Sequence, residues 1–212
     1  MTQTLEPPTT TDRSPQERVD AWLADFDRAL AARDVEGVAA LFGTTSFWRD
    51  LVTFTWNIKT VEGREQIADM LGARLDDVDP RGFHTTETPD EADGVYSAWI
   101  AFETATARGS GHLRLRENAD GDLEAWTLLT TMQELKGHEE PRGHRRPMGA
   151  VHGSNKETKT WAERRELEEK ELGYSVQPYV LIVGGGQGGI ALGARLRQMG
   201  VPAIVVDRND RP

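Results

Sequence analysis

The residues whose types and spacing point most directly to chemistry lie late in the chain. Gly184, Gly186 and Gly189 stand at G-x-G-x-x-G spacing. An apolar, β-branched run from Tyr179 to Val183 precedes them, and a helix-forming stretch bearing Ile190, Leu192, Leu196 and Met199 follows. Gly200 ends that stretch, Val201 to Val206 is a second apolar run, and Asp207 closes it with a carboxylate. Strand, glycine loop, helix, strand and acid in this order form the pattern of a dinucleotide site. Gly184 allows a tight strand-to-helix turn, Gly186 lets the backbone approach a pyrophosphate, and Gly189 lets the helix pack closely on the strand. The pyrophosphate would then meet the unpaired N–H groups and positive dipole of the helix N-terminus. Asp207 lies eighteen residues beyond Gly189, near the offset at which an acid accepts from a ribose hydroxyl. Arg208 reads first as a solvated charge; its alternative role is a 2′-phosphate contact, which would imply NADP.

A second set of candidates lies in the first half. Arg49, Asp50 and His84 could serve together as an acid/base set for proton transfer in a pocket. The plainer reading is a local Arg49–Asp50 ion pair at a strand end and a surface histidine. Trp48, Trp56, Trp99 and Trp126 could line an aromatic pocket, although aromatics on sheet faces usually form core. His138, His144 and His152 show no metal-ligand spacing, so no metal site is expected. Arg142, Arg145 and Arg146 form a basic cluster whose first reading is solvated charge, with a nucleotide phosphate contact as the alternative.

The elements that would position these residues follow from pattern. Residues 1–13 are Thr- and Pro-rich without periodicity and are expected to be disordered. Ser14-Pro15-Gln16-Glu17 has the form of a capping box. Val19, Trp22, Leu23, Phe26 and Leu30 then mark one apolar face of a helix. Asp34 can cap a shorter helix through Val35, Val38, Leu41 and Phe42. Phe47 to Ile58 reads as a strand because Phe54, Trp56 and Ile58 alternate, and Gly63 to Leu75 returns to helical spacing. Pro80-Arg81-Gly82 is a turn signal. Tyr96 to Ala107, Gly111 to Arg116 and Leu123 to Leu135 are strands, the last two joined by a turn at Asn118-Ala119-Asp120-Gly121. Helices first and a curved antiparallel sheet after them make an α+β domain over 14–136. Residues 137–159 form a basic, Gly- and Pro-containing linker, 160–173 a charged connecting helix, and 178–212 the βαβ unit. That unit offers two strands and one helix, so a dinucleotide domain would be incomplete and the chain is expected to be part of a longer protein, binding flavin weakly or not at all by itself.

Composition narrows the classes. A formal charge of −10 and no long basic run in the first half argue against nucleic acid or an anionic membrane as partner. The chain has no cysteine, which excludes disulfides, thiolate metal sites and cysteine nucleophiles within it. No signal-peptide pattern or long apolar run occurs, and the chain reads as soluble and cytoplasmic.

The run FWRDLVTFTW, the EGREQI helix start and the element order make residues 14–135 resemble the NTF2-like, or SnoaL-like, family of cone-shaped α+β domains. That resemblance implies helices closing over a sheet to leave a pocket, and a homodimer through the open sheet face. With TWAERRELEEKEL and QPYVLIVGGGQGGIALGARLRQMGVPAIVVDRN added, the chain resembles flavin-containing monooxygenases, which join one FAD domain to one NADPH domain. It implies a cone followed by the start of an α/β Rossmann-type FAD-binding domain. Gly184, Gly186, Gly188 and Gly189 would line the FAD pyrophosphate, with Gln187 in the same loop and Asp207 on the ribose, where that family usually has Glu. It also implies NADPH bound beyond the end of this chain and oxygen transfer from a flavin hydroperoxide to a small organic substrate, with no catalytic residue in this chain. The alternative is a cone acting as a small-molecule-binding, isomerase- or dehydratase-like or dimerisation module. The glycine motif would then bind NAD(P) or FAD for another oxidoreductase.

Overall fold

The structure, a computed structural model, describes residues 13–146 and 159–208. The chain divides between Glu139 and Glu140 into two compact units. The expected disordered start lies outside the described residues up to residue 12, and so does most of the expected linker.

The first unit opens with helix α1 (Pro15–Ala31), capped as the sequence predicts. Ser14 Oγ accepts from the Glu17 amide, and the Glu17 carboxylate accepts from the Ser14 amide at 2.8 Å. Helix α2 (Val35–Ala40) starts at Asp34, whose carboxylate accepts from the Gly37 amide. Strands β1 (Phe42–Leu51) and β2 (Ile58–Glu62) precede helix α3 (Gly63–Val78). The chain then runs through β3 (Arg81–Thr85), β4 (Asp90–Ala92), β5 (Val95–Glu103), β6 (Ala107–Glu117) and β7 (Leu123–Leu135). The sheet order is β2-β1-β7-β6-β5-β3, with β4 paired on β5. β1 lies parallel to β7, so the sheet is mixed rather than wholly antiparallel as expected. Register shifts in β1, β3, β6 and β7 mark bulges, which increase local twist and bend the sheet around the helices.

The expected single strand from Phe47 to Ile58 is broken. β1 ends at Leu51, and Val52 to Asn57 form a turn in which Val52 and Trp56 adopt positive φ, 59° and 54°. Both conformations are costly for side-chain-bearing residues. Alternation in the sequence does not reveal this turn because its cause is a buried carboxylate, described below.

Between helices and sheet lies an aromatic core. Phe26 of α1 touches Trp22, Phe42, Trp48 and Phe83 at ring-centre distances of 5.0–6.2 Å. Trp48 meets Phe54 at 4.9 Å, and Phe83 stacks on Phe102 at 4.6 Å. Trp48, Phe54, Phe26 and Phe42 have no exposed surface. These rings occupy the cone interior, the region where the family resemblance implied a pocket. At the edge of this layer Arg18 donates to Tyr96 Oη at 2.7 Å and to the Gly121 carbonyl at 2.7 Å, and it pairs with Glu117. These contacts fasten α1 to β5, β6 and the following turn.

The second unit contains helix α4 (Trp161–Glu171), strand β8 (Val180–Val183), helix α5 (Gln187–Gln198) and strand β9 (Ala203–Val206), after a short 3₁₀ turn at Gly143–Arg145. Thr160 and Glu163 form the capping box of α4, and Glu168 holds Arg197 of α5 through two bonds of 3.1 Å. β8 and β9 pair in parallel with Val180 opposite Ala203 and Val183 opposite Val206. β8 is not buried on both faces. Ile182 is buried, whereas Leu181 and Val183 are 64% and 83% exposed. One helix covers one face of a two-stranded sheet, so alternate residues face away from it. The described residues form a βαβ unit and not a doubly wound Rossmann-type domain. Among them no helix is long and apolar enough to cross a membrane.

Replacing Phe26 with Ala removes the ring that joins four others and is expected to cost about 4 kcal/mol of stability, measured by denaturant unfolding. Ser46 supplies a contrast: its hydroxyl is buried without a hydrogen-bond partner. Ser46→Ala should leave stability unchanged or raise it, because no bond is lost.

Candidate functional site

The proposed acid/base set of Arg49, Asp50 and His84 is not assembled. Side chains alternate across β1, sending Asp50 into the core and Arg49 to the opposite face. The expected Arg49–Asp50 pair is absent; Arg49 instead donates to Thr60 Oγ1 at 2.9 Å. His84 is exposed, with Nδ1 2.8 Å from the Gly82 carbonyl oxygen.

Asp50 has no exposed surface, and neutral donors surround its carboxylate. Oδ1 accepts from the amides of Thr53 and Phe54 and from Thr130 Oγ1 at 2.8 Å. Oδ2 accepts from the Phe54 amide at 3.0 Å, and from the amide and hydroxyl of Thr55 at 2.8 Å each. Thr130 in turn accepts from Trp48 Nε1 at 2.9 Å. Five donor groups occupy the four lone-pair directions of a carboxylate. No direction is left toward a reacting molecule, so Asp50 is a structural anchor of the Val52–Asn57 turn rather than a general base.

The four tryptophans do not form one pocket. Trp48 is core, Trp56 is 56% exposed on the strained turn, and Trp126 lies under the Arg116 guanidinium at 3.3 Å. Trp99 is 52% exposed on the outer sheet face, edge-on to His112 at 4.7 Å. Strand register sets Thr60, Arg49, Leu129, His112 and Trp99 in one row across five strands. This row and its neighbours Phe47, Arg114 and Thr127 line a shallow depression of about 660 Å³. Burial and the nearby Arg114 push the His112 pKa below the ordinary imidazole value, favouring the neutral ring near neutral pH. Sequence patterning could have found the row only after the register was known.

In the second unit the glycine loop has the geometry its spacing predicts. Gly184 adopts φ +106°, a conformation that disfavours any side chain. A Cβ on Gly189 would stand 1.9 Å from the Gly184 carbonyl oxygen, so the helix and loop meet only because Gly189 has none. Gly186 is the N-cap of α5, and the first intrahelical bond runs from the Ile190 amide to the Gly186 carbonyl at 2.9 Å. The amides of Gln187, Gly188 and Gly189 precede it and have no partner in the preceding turn. Asp207 follows β9 beside the loop, and its Oδ2 accepts from the Gly185 amide at 2.6 Å. Arg208 is exposed. Of the basic cluster, Arg142 pairs with Glu140 at 3.7 Å, and Arg145 and Arg146 are exposed. Among the described residues no three His, Asp or Glu side chains stand as metal ligands; His152 lies outside them.

No protein-family model and no curated protein matches the chain. Among solved structures, it is similar to a ketosteroid isomerase-like protein from Erwinia carotovora atroseptica, at 12% identity and TM-score 0.48, covering 57% of this chain and 98% of that one. A second is ActVI-ORFA from Streptomyces coelicolor, at 19% identity and TM-score 0.46, covering 55% and 96%. A third is an NTF2-like protein with a cystatin-like fold from Novosphingobium aromaticivorans, at 14% identity and TM-score 0.43, covering 57% and 82%.

Two measurements test the assignments of charge in the first unit. Asp50→Ala strands five donors and is expected to destabilise the unit by about 3 kcal/mol in denaturant unfolding, whereas Thr130→Val should cost less because four donors still reach Asp50. Arg108, together with the amides of Glu139 and Gly137, holds the Glu139 carboxyl down to about 2. Its folded value lies below the unfolded one, so its contribution to stability is present above the ordinary carboxylate range and is lost as pH falls toward 2. NMR titration of the Glu139 carboxyl should give that low midpoint, and Arg108→Ala should raise it.

Proposed function

We propose that this chain is part of a dinucleotide-dependent oxidoreductase. Its βαβ unit takes the ADP portion of FAD or NAD(P), and its α+β cone serves as an association module. The observation that carries the reading is the loop from Gly184 to Gly189, glycine at every position but Gln187 and packed by Gly189 against the Gly184 carbonyl. It leads directly into the N-terminus of α5. Gly184, Gly186, Gln187, Gly188 and Gly189 would hold the pyrophosphate through backbone amides and the helix dipole, and Asp207 would accept from the ribose. FAD or NAD(P), when bound, supplies the redox chemistry, and the chain's own contribution is binding and orientation. Oxygen transfer and an NADPH site rest on the sequence resemblance alone and form no part of the proposal.

The separation of Arg49, Asp50 and His84 leaves an isomerase or dehydratase role for the cone without that acid/base set. The cone's outer face supports association instead. Trp99, Leu129 and Phe47 form an apolar surface too open to enclose a small molecule, and a self-complementary contact with a second copy would cover it.

Calorimetric titration of the chain with ADP is expected to show binding, and Gly186→Val, at a position where a Cβ would meet no protein atom within 4 Å, should abolish it while circular dichroism stays unchanged. A wild-type chain that does not bind ADP would end the dinucleotide reading. Sedimentation should report a dimer that Trp99→Asp converts to monomer and that acid weakens by charging His112 beside Arg49 and Arg114. A wild-type monomer would end the association reading.

A further inference from the structure

The glycine spacing leaves the residue between its first two glycines unspecified, yet this chain has glycine there, and the structure supplies a reason. Gly184 donates its amide to the Val206 carbonyl at 2.8 Å, extending the β8–β9 ladder. At the next residue the acceptor changes from backbone to side chain: the Gly185 amide donates to Asp207 Oδ2 at 2.6 Å. A Cβ at Gly185 would lie 3.2 Å from that oxygen and 3.3 Å from Asp207 Cβ, closer than side chains ordinarily pack. The loop then enters α5 at Gly186 with no side-chain cap. We infer that Gly185 and Asp207 act as one unit that fixes the course of the loop, so that Asp207 is a positioning residue for the pyrophosphate amides as well as a ribose acceptor.

This inference rests on the dinucleotide reading for its ligand but not for its contact. The glycine supplies the space the carboxylate fills, and the carboxylate supplies the acceptor that the loop amide needs. A charge-assisted bond of this kind is stronger than a neutral one. A change at either position therefore alters the consequence of a change at the other.

The test uses the full 212-residue chain and inorganic pyrophosphate, which has no ribose. If Asp207 served the ribose alone, removing its negative charge would leave pyrophosphate affinity unchanged or increase it. As a positioning residue, Asp207→Ala should instead lower that affinity by about fivefold, equivalent to one lost hydrogen bond. Asp207→Asn should keep it, since the amide oxygen still accepts from Gly185. Gly185→Ala should lower affinity in the wild-type background and add nothing in the Asp207→Ala background. Amide hydrogen exchange gives a readout that needs no ligand: Gly185 should be protected in the wild type and in Asp207→Asn, and lose protection in Asp207→Ala. Unchanged Gly185 exchange in Asp207→Ala would overturn the pairing. Failure of wild-type chain to bind pyrophosphate or ADP would overturn the dinucleotide reading instead, leaving exchange to decide the pairing.

Discussion

A carboxylate with no exposed surface constrains the whole first unit. Asp50 is buried at the sheet's inner face, and its carboxylate is met by neutral donors from the chain. Three come from the amides of one turn, which bends the backbone sharply after β1 and accepts positive φ at Val52 and Trp56. One comes from Thr130 on the parallel neighbour β7, whose hydroxyl also orients Trp48. The same carboxylate thus ends a strand, shapes the turn into β2, ties β1 to β7 and fixes the ring at the centre of the aromatic layer. Its satisfaction removes it from catalysis, because an acceptor with every direction filled has no direction left for a substrate proton.

The aromatic layer follows from that anchoring. With Trp48 fixed, Phe42, Phe54 and Phe26 pack around it, and Phe83 and Phe102 continue the contact toward the far strands. Ring packing of this density leaves the cone's interior to side chains. Away from these rings, the sheet's outer face is where Trp99 and His112 stand against Leu129. The two units accordingly divide the work by chemistry: one is ordered by burial of rings around an anion, the other by backbone geometry that burial hardly supports. Among the described residues of the second unit Ile182 is the buried hydrophobic side chain, and glycine conformation and hydrogen bonds define the loop.

Much of this was legible in the sequence, for reasons that differ between elements. The capping box at Ser14, the amphipathic face from Val19 to Leu30, the Asn118–Gly121 turn and the glycine spacing all depend on residues near each other along the chain. Local chemistry of that kind is written in order along the chain. The mixture of helices and strands in the first unit was readable for the same reason, although β1 and β2 precede α3 and the helices do not all come before the sheet.

What the sequence could not determine were contacts between distant residues. Phe47 to Ile58 has the alternation of a strand, and only Thr130, eighty positions away, together with burial of Asp50 turns it into a strand and a strained bend. Parallel pairing of β1 with β7 likewise sets which residues meet on the outer face, since register and not spacing brings Arg49, Leu129, His112 and Trp99 into line. Arg49 and Asp50, neighbours in sequence, were separated by the pleat of their own strand, while Gly185 and Asp207, twenty-two residues apart, were joined by a parallel ladder. Local steric preference and capping act within a few residues, whereas burial and register are properties of surfaces that exist only once the chain has folded.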